Sequence, residues 1–433
     1  MNILKTFHYI LPYLTLSSLI NKVISKSNSI HLKYHTTQQG GLDIGILIGK
    51  QTKYIFKVID QSIDYTWSSD IFYNVTNSSS AKVISKGNKT LYGYDIKSQV
   101  ISETFEIGDT PLSLNKIELK NMSFLLVNDI ENIYKRQMDS FGFAHKFGDE
   151  RFSIVHQLYR NKYINTQKYF LYPNYDLADN GTFILGGNIY DILPFNPTFK
   201  NKGIININET ARKWEFTVNK LKIGNNYYEN SISTIPIIGY FQAAEGYVYV
   251  PLPVLSFFNE TIFKEALKTN HCSYKIFAKY HYYECINNII NNFPQIIITI
   301  DGNDFVINSN NFFERSKGRN YSTFYFKGLF NKNAIYDNFC YDKQKWIFGT
   351  PFLKLFISEF DYDKNKVTLY SNVEGRIKNN NLNFIRKIDD TKVIILNVLI
   401  GLFGIIVISL YIALHNKHIK RRRKIAKYLQ HII

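Results

Sequence analysis

The stretch from Tyr54 to Trp67 reads Tyr-Ile-Phe-Lys-Val-Ile-Asp-Gln-Ser-Ile-Asp-Tyr-Thr-Trp, and the interpretation of the whole chain starts from it. Its first six residues form a mostly apolar run, which is typical of a buried strand. The run leads directly into the acidic residue Asp60, and a polar turn then separates Asp60 from the aromatic Trp67. Side chains at strand ends are held more rigidly than side chains on loops. The stretch therefore predicts a fixed carboxylate at the floor of a cleft.

The order of strand, acid, short turn, hydroxyl-bearing residues and tryptophan resembles the first active-site loop of pepsin-like aspartic proteases. In that family the loop usually reads Asp-Thr-Gly-Ser-Ser-x-x-Trp. Asp60 and Trp67 keep the family's spacing, whereas Gln61 and Ser62 stand where the family has Thr and Gly. The resemblance implies that Asp60 is the first of the two catalytic aspartates of these enzymes.

Other segments resemble the same family and follow one another in the family's order. Tyr92 and Gly93 match the tip of the hairpin flap that closes over substrate, and the resemblance makes Trp67 the partner that holds the Tyr92 ring. Residues 346–353, Trp-Ile-Phe-Gly-Thr-Pro-Phe-Leu, and residues 360–367 are similar almost position for position to the family's closing segment. The remaining matches are residues 138–144, 153–158 and 181–187. Together they extend the resemblance from about residue 41 to residue 372.

The second active-site loop lacks the aspartate that the resemblance requires. The strand from Ile235 to Tyr240 should deliver it, nine residues before a proline that corresponds here to Pro251. Counting back from Pro251 gives Gln242, and the sequence Gln-Ala-Ala-Glu replaces the family's Asp-Thr/Ser-Gly-Thr. An aspartate missed by misalignment is one alternative, but no Asp lies between Trp214 and Asp301. A second alternative is that Glu245, three positions out of register, substitutes for the missing acid.

Replacing one aspartate changes the chemistry that the site can perform. Family members hydrolyse peptide bonds with two facing carboxylates that share one proton, so that one activates a water while the other stays protonated. The amide of Gln242 has no proton that it can release at any relevant pH, and we therefore expect a disabled site. We also expect Gln61 and Ala243 not to reproduce the hydrogen bonds that two threonines make between the lobes in the family. The Cβ atoms of Ser62 and Ala244 should push the two loops apart.

The resemblance implies an all-β, bilobal pepsin-like fold, and a chain of 433 residues is long enough for two lobes. We expect an N-terminal lobe at residues 40–212 and a C-terminal lobe at residues 213–372. Residues 42–59 have the pattern of two hairpin strands. Asp301 and Gly302 have the pattern of a hairpin turn, so Asp301 is expected to be a turn residue and not an acid catalyst. No cofactor is implied.

The two ends of the chain predict a membrane protein. An apolar run from Phe7 to Ile20 has the length of a signal-peptide core, so residues 1–29 are interpreted as a signal peptide, with an N-terminal anchor as the alternative. Residues 393–414 are mainly apolar, interrupted by Asn397, and numerous enough to cross ~30 Å of hydrocarbon as a transmembrane helix. Residues 415–433 form a basic tail, as expected on the cytosolic side. With a stalk at residues 373–392, the prediction is a single-pass type I protein of the secretory pathway or the cell surface.

N-glycosylation sequons agree with lobes on the luminal side. An Asn-x-Ser/Thr triplet is the acceptor for N-glycans in secreted proteins. The chain has eight such triplets, all of them in the part predicted to lie outside the cytosol. They begin at Asn74, Asn77, Asn88, Asn121, Asn180, Asn208, Asn259 and Asn320.

Charge and cysteine content exclude some partners. The net charge of +17 comes from 52 basic and 35 acidic residues spread along the chain, so no nucleic-acid-binding face is expected. The resemblance implies a disulfide between Cys285 and Cys340, as an oxidising compartment allows, and leaves Cys272 free or paired in another way. A zinc set of His271, Cys272, His281 and Cys285 is an alternative. An oxidising compartment disfavours it, and no metal is expected.

The sequence therefore favours a membrane-anchored, catalytically inactive relative of the pepsin-like proteases that binds a peptide or protein ligand in the cleft between its lobes. The first alternative is an active aspartic endopeptidase with atypical loops. The second is a glycosylated surface protein or receptor in which the lobes serve only as structure. Acid-dependent binding of a transition-state-like peptide would favour the first two hypotheses, and a cleft blocked by side chains would favour the third.

Overall fold

The structure is a computed structural model in which the chain divides into two compact units, residues 1–378 and residues 379–433. In the second unit the described residues are Asn379, Lys417 and residues 419–421. In the first unit the described residues are 29–37, 40–49, 55–63, 65–70, 72–91, 94–107, 117–127, 139–146, 152–174, 180–189, 199, 201–228, 237–277, 280–315, 321–326 and 345–378. The predicted lobe boundary between residues 212 and 213 stays a prediction.

The described part of the first unit is built mainly from β-strands, as the resemblance predicted. Its strands up to residue 228 are β1 (Ile30–Thr36), β2 (Leu42–Ile48), β3 (Ile55–Asp60), β4 (Trp67–Ser69), β5 (Lys82–Leu91), β6 (Tyr94–Ile107), β7 (Ile117–Val127), β8 (Ser140–Gly142), β9 (Lys168–Pro173), β10 (Asn180–Leu185), β11 (Asn201–Asn206), β12 (Glu215–Val218), β13 (Lys220–Ile223) and β14 (Asn226–Tyr227). The later strands are β15 (Ile237–Phe241), β16 (Cys272–Phe277), β17 (Tyr280–Ile286), β18 (Ile296–Ile300), β19 (Asn303–Ile307), β20 (Phe313–Arg315), β21 (Tyr321–Phe326), β22 (Lys345–Phe348), β23 (Ile357–Asp361), β24 (Lys366–Ser371) and β25 (Ile377–Asn379).

Short helices connect some of these strands. They are α1 (Ile154–Arg160), α2 (Leu252–Phe258), α3 (Lys264–Lys268) and α4 (Thr350–Leu353), with a π-helical turn at Asn259–Phe263 between α2 and α3. The matched segment at residues 153–158 resembles the family's next helix, and α1 forms there. Its first turn is capped by Ser153, whose hydroxyl accepts a hydrogen bond from the backbone N–H of His156.

One large sheet, called the central sheet below, contains strands from both ends of the described first unit. Part of it runs in the order β11-β24-β23-β9-β10-β1. β1 buries Ile30, Leu32 and Tyr34 in alternation with less buried residues, which is the period of a strand with one face on a core. Gly181 of β10 faces Tyr34, and a Cβ at Gly181 would lie only 2.2 Å from the tyrosine ring. β1 has no counterpart among the predicted elements, because the sequence interpretation began the folded part at Gly40.

Two strands that lead into the candidate site each pair in parallel with a later strand. β2 and β3 form an antiparallel pair, as the hairpin pattern of residues 42–59 predicted, and β3 then pairs in parallel with β8. β15 pairs in parallel with β22 in the same way. Parallel neighbours are joined by long stretches of chain and not by a tight turn. The ends of β3 and β15 are therefore fixed by residues far away in the sequence.

An aromatic core lies beneath both strand ends. Tyr169 of β9 stacks on Phe360 of β23, with ring centroids 4.5 Å apart and ring planes 5° apart. Trp214 packs edge-on against Phe360 at 5.1 Å, and its indole N–H donates to the carbonyl of Phe143 at 2.7 Å. Phe241, the last residue of β15, meets Phe360 at 5.7 Å. Such pairs each add about 0.5–1.5 kcal/mol beyond the area that they bury. The central sheet and β15 thus share one rigid core.

The disulfide joins a different pair of cysteines from the pair that the resemblance implied. Cys272 of β16 and Cys285 of β17 face each other in antiparallel register, with Cα atoms 4.1 Å apart, and their sulfurs are bonded. The predicted bond from Cys285 to Cys340 is wrong, because Cys285 can form one disulfide and its hairpin partner is Cys272. Cys340 lies outside the described residues. The same bond removes both sulfurs from the zinc alternative.

The turn between β18 and β19 is the one that the sequence predicted. Asp301 and Gly302 have positive φ angles of 48° and 75°, as a two-residue hairpin turn of this kind requires. Oδ2 of Asp301 accepts a hydrogen bond from the backbone N–H of Asn206 at 2.6 Å. The carboxylate of Asp301 is therefore a structural group.

The predicted membrane segments fall almost entirely on residues that the structure does not describe. These are residues 1–28 of the signal peptide, residues 380–392 of the stalk, the span at residues 393–414 and most of the tail. Within the described ranges, no helix combines the length and the apolar character needed to cross a membrane.

Candidate functional site

Asp60 and Gln242 lie side by side, at the end of β3 and immediately after β15. The side-chain amide of Gln242 donates a hydrogen bond from Nε2 to Oδ1 of Asp60 at 2.8 Å. Both residues are almost fully buried, with 4% and 5% of their surfaces exposed. Two residues that stand 182 positions apart in the chain therefore form one site.

The two strand ends are built alike. β3 pairs with β8 so that Asp60 lies opposite Gly142. β15 and β22 pair up to the residues that directly precede Gln242 and Gly349. Asp60 thus lies opposite the glycine that ends β8, and Gln242 follows a strand whose parallel neighbour is itself followed by a glycine. This likeness supports the register by which the sequence assigned Gln242 to the place of the second aspartate.

Glycine allows the chain after each site residue to approach these strand ends. A Cβ on Gly142 would lie 2.7 Å from the backbone of Tyr65, and a Cβ on Gly349 would lie 2.0 Å from the carbonyl oxygen of Tyr247. Each tyrosine stands five positions after the site residue of its own loop. Real Cβ atoms do not come so close to backbone atoms, so both loops depend on a glycine beneath them.

The carboxylate of Asp60 accepts hydrogen bonds from its own loop as well as the one from Gln242. Oδ1 accepts hydrogen bonds from the backbone N–H of Ser62 at 2.8 Å and from the Ser62 hydroxyl at 2.7 Å. The Ser62 side chain turns back onto Asp60. The expectation that its Cβ would push the loops apart is wrong, because the two loops meet at hydrogen-bonding distance.

Gln61 bridges the two loops, although the sequence interpretation expected it not to. Its backbone N–H donates to Oε1 of Gln242 at 2.9 Å. Its side-chain Oε1 accepts from the backbone N–H of Ala243 at 2.6 Å, and its Nε2 donates to the hydroxyl of Tyr169 at 2.9 Å. Gln61 is fully buried. The expectation failed because a glutamine side chain is long enough to reach the opposite backbone, where the family relies on a shorter threonine.

The second loop is also held by the start of β2 and by α4. The carbonyl of Ala243 accepts from the backbone N–H of Leu42 at 2.8 Å and from the hydroxyl of Thr350 at 3.1 Å. A Cβ on Gly41 would lie 2.3 Å from the carbonyl oxygen of Ala244. The close approach of Gly41 to this loop therefore depends on the absence of a side chain at Gly41. The loops meet at hydrogen-bonding distance with alanine at position 244, so the expectation that its Cβ would push them apart is also wrong.

A buried ion pair lies behind the first loop, and the sequence interpretation did not single it out. Lys57 is fully buried, and its ammonium donates to the carbonyl of Trp67 at 2.6 Å and to Oδ2 of Asp139 at 3.4 Å. Asp139 also accepts from the hydroxyl of Ser68 and from the backbone N–H of Ser69. Burial lowers the pKa of Lys57, and the charge of Asp139 opposes that change. The signal for this buried lysine was strand alternation, which puts Lys57 on the same face of β3 as the buried residues Ile55 and Ile59.

The predicted flap positions lie just beyond the described residues. Tyr92 and Gly93 fall between β5 and β6, whose antiparallel pairing runs to Leu91 and Tyr94. Trp67 is buried, and its carbonyl accepts the bond from the ammonium behind the first loop. The partnership of Trp67 with the Tyr92 ring stays a prediction.

Glu245, the alternative acid, is engaged within the second loop. The hydroxyl of Tyr249 donates to its carboxylate at 2.7 Å. Its backbone N–H donates to the carbonyl of Gln242 at 3.2 Å, and its own carbonyl accepts from the N–H of Thr350 at 2.8 Å. These bonds give Glu245 a structural role in the turn that follows Gln242.

Most of the sequon asparagines that the structure describes are on the surface. Six are exposed, namely Asn74, Asn77, Asn88, Asn121, Asn180 and Asn208. Asn259 is partly buried in the π-helical turn and accepts a hydrogen bond from the hydroxyl of Tyr283 at 3.1 Å. Asn320 lies outside the described residues. Exposure is what attachment of a glycan requires, and glycosylation itself stays a prediction.

The arrangement brings one titratable acid and one neutral amide into contact. A carboxylate oxygen accepts hydrogen bonds, and an amide N–H donates them without releasing a proton. The pair of Asp60 and Gln242 therefore reproduces the contact between an ionised and a protonated carboxyl group, but it holds no shared proton.

A comparison with protein-family models matches residues 57–371 to the family described as eukaryotic aspartyl protease. The matched range includes both loops of the site and the closing segment. No curated protein gives a significant match to the chain.

Proposed function

Because the chain belongs to the eukaryotic aspartyl protease family, we propose that it is a catalytically inactive member that binds a peptide or a protein segment between its two lobes. The observation that carries the proposal is the 2.8 Å hydrogen bond from the amide of Gln242 to Oδ1 of Asp60. It puts a group that does not ionise where the reaction needs a second acid.

Loss of catalysis follows from the proton transfers of peptide hydrolysis. One carboxylate removes a proton from water, and the other delivers a proton to the substrate. Asp60 can accept a proton, but Gln242 cannot give one. Asp60 alone would have to serve as base and acid in the same turnover.

The proposal that the site still binds a ligand is supported by its ordered hydrogen bonds. The two amides, the carboxylate and the backbone groups of both loops are buried and hydrogen-bonded to one another. Buried polar groups without partners cost about 1–3 kcal/mol each, so the closed network holds both loops in one fixed arrangement. We infer that the network preserves the floor of a cleft in which a peptide lies.

The test compares the full-length wild-type chain with Asp60→Ala and Gln242→Asp on a diverse peptide library from acid to neutral pH. We expect no cleavage by wild type. Gln242→Asp restores two facing carboxylates, and we expect acid-dependent cleavage that the added substitution Asp60→Ala abolishes. Cleavage by wild type that disappears in Asp60→Ala would overturn the proposal in favour of an active endopeptidase.

Binding is tested separately with a non-cleavable peptide that carries a secondary alcohol in place of the scissile bond. Calorimetry on folded wild type should detect binding, and Asp60→Ala should weaken it because the alcohol loses its acceptor. A folded wild-type protein that binds no member of a diverse set of such peptides would favour the third reading, in which the lobes serve only as structure.

We also propose that the lobes lie on the luminal side of a membrane, held by one span at residues 393–414. The apolar run, the basic tail after it and the exposure of six sequon asparagines support this topology. The compartment would be the secretory pathway or the cell surface.

A further inference from the structure

We infer that Gln61 is a positioning residue, which holds the second loop to the first and fixes the direction in which Gln242 presents its amide to Asp60. The inference rests on the proposed function, since it explains how a site without its second acid keeps a binding geometry. Gln61 does not itself touch the ligand in this proposal.

The contacts of Gln61 join three separate parts of the fold. Its backbone N–H reaches Gln242, and its side chain reaches the backbone of Ala243 and the hydroxyl of Tyr169. The first two lie in the second loop, and Tyr169 lies in β9 of the central sheet. A single side chain therefore ties both loops to the sheet beneath them.

Tyr169 is a rigid anchor for this clamp. Its ring is fully buried, stacked on Phe360 and packed at 4.9 Å against Phe143. Burial raises the pKa of the Tyr169 hydroxyl well above its ordinary value, so the group stays neutral and accepts the bond from Gln61. The position of Gln61 is thus set by the core and not by the loop alone.

The network allows one orientation for each amide, because backbone N–H groups can only donate. The N–H of Ala243 requires an acceptor and therefore faces Oε1 of Gln61, which turns Nε2 of Gln61 toward Tyr169. The N–H of Gln61 requires an acceptor and therefore faces Oε1 of Gln242. That turns Nε2 of Gln242 toward Asp60.

The consequence is a donor and an acceptor with fixed directions at the floor of the cleft. If the Gln242 amide were flipped, its oxygen would face the Asp60 carboxylate and its NH₂ would face the N–H of Gln61. Both contacts would be repulsive. The backbone N–H of Gln61 and the carboxylate of Asp60 together decide which atom of Gln242 lies next to Asp60. The side chain of Gln61 acts through its bonds to Ala243 and Tyr169, which hold that N–H against Gln242, so that a bound peptide meets the carboxylate and the amide in one arrangement.

The test uses Gln61→Met, which keeps the length of the side chain and removes its polar atoms, and Tyr169→Phe, which removes only the hydroxyl. The matched control is Gln157→Met. Gln157 is a buried glutamine of α1 that also makes two hydrogen bonds to backbone, with the N–H and the carbonyl of Ser123 at 2.6 and 2.9 Å.

The first readout needs no ligand. In full-length protein labelled with ¹⁵N-glutamine, hydrogen exchange of the Gln242 side-chain NH₂ is measured. We expect exchange to be at least tenfold faster in Gln61→Met and several-fold faster in Tyr169→Phe, and unchanged in Gln157→Met. Unchanged exchange in folded Gln61→Met, or in Tyr169→Phe where Gln61→Met does not fold, would overturn the inference.

The second readout is the dissociation constant of the secondary-alcohol peptide. We expect a loss of about tenfold or more in Gln61→Met, about 1.4 kcal/mol of binding free energy, with no loss in Gln157→Met even where both lower the melting temperature. Equal affinity in folded Gln61→Met and wild type would overturn the inference. If wild type binds no such peptide, the proposed function fails, while the exchange readout still decides the role of Gln61.

Discussion

Lys57 is fully buried with its ammonium group 3.4 Å from the carboxylate of Asp139, and its removal should be among the most damaging single changes in the first unit. Lys57→Met leaves the carboxylate of Asp139 buried without its cation, which for buried pairs costs about 3–5 kcal/mol. The free energy of unfolding from urea titration measures the loss. In the control, Lys268→Met, the lysine is exposed and paired with Glu265 on the surface of α3, and we expect no measurable change. Similar stability of both variants and wild type would show that Lys57 is not needed to balance Asp139.

Asp43 of β2 should make the folded state less stable as the pH rises from about 4 to about 7. Burial raises its pKa from 3.8 to about 6, so in this range the folded chain keeps a proton that the unfolded chain has released. The stability from that proton is complete below pH 4 and is lost as the pH passes through 6. Asp43→Asn removes the titration, and its unfolding free energy should fall less with pH than that of wild type.

A neighbour to include in that comparison is His35, whose Nδ1 lies 3.9 Å from Oδ1 of Asp43. His35→Asn tests whether this contact changes the pH dependence of the unfolding free energy. Parallel stability curves for wild type and Asp43→Asn across the whole range would contradict the prediction.

The sequence located some residues of the site and could not explain others. Gln242 was found by spacing, because the distance from Pro251 is a short-range property of the chain. The role of Gln61 was missed, because it depends on Tyr169, which is 108 positions away and reaches the site only through the folding of the central sheet. A substituted residue in a known motif suggests loss of function from sequence alone, while its new partners become visible only in the fold.

Secondary-structure elements were likewise predictable where their signals are local and missed where they are not. Hairpins such as β18 and β19 were predictable because their turn residues and alternation are local signals. The strand β1 was missed, since the folded part was expected to begin at Gly40. Most of its pairing is with the distant strand β10, and only its last residues pair with β2. The disulfide was misassigned for a related reason. Family resemblance supplied the pair Cys285 and Cys340, whereas Cys272 stands opposite Cys285 in a local hairpin.

The two parallel contacts below the site lead to a prediction about their glycines. In Gly142→Ala the new Cβ would lie 2.7 Å from the backbone of Tyr65, so the first loop has to move. Overpacking of this kind costs about 1–3 kcal/mol or more. We expect a lower melting temperature and weaker peptide binding.

Gly87→Ala is the matched control for that change. Gly87 lies in β5, and a Cβ there would have no atom within 4 Å. Alanine should be neutral or should stabilise the strand by about 0.5–1 kcal/mol, because glycine loses more backbone entropy on folding. If Gly142→Ala were as stable as Gly87→Ala, the close approach of Tyr65 would not be a constraint on the loop.

At the scale of the whole first unit, the central sheet explains how the site is kept rigid. Lys168 of β9 is partly buried between Glu359 and Asp361 of β23, at 2.8 and 2.9 Å from their carboxylates. The same two strands carry Tyr169 and Phe360, whose stacked rings support Gln61. The ion pairs of Lys168 and the neighbouring aromatic stack therefore both join β9 to β23, and the loops of the site rest on these two strands.

The topology proposed for the whole molecule is tested by placing charge in the predicted span. Each arginine at the centre of a membrane helix costs about 2.5–3.5 kcal/mol on the insertion scale, so Leu402→Arg with Ile406→Arg should release the chain from membranes on alkaline carbonate extraction. The control, Leu402→Ala with Ile406→Ala, should remain in the membrane fraction with wild type.

Luminal lobes should also carry N-glycans at exposed sequons, so Asn208→Gln should lose one glycan by mass spectrometry. Extraction of wild type by carbonate, together with an absence of glycans, would place the lobes elsewhere than in the secretory lumen.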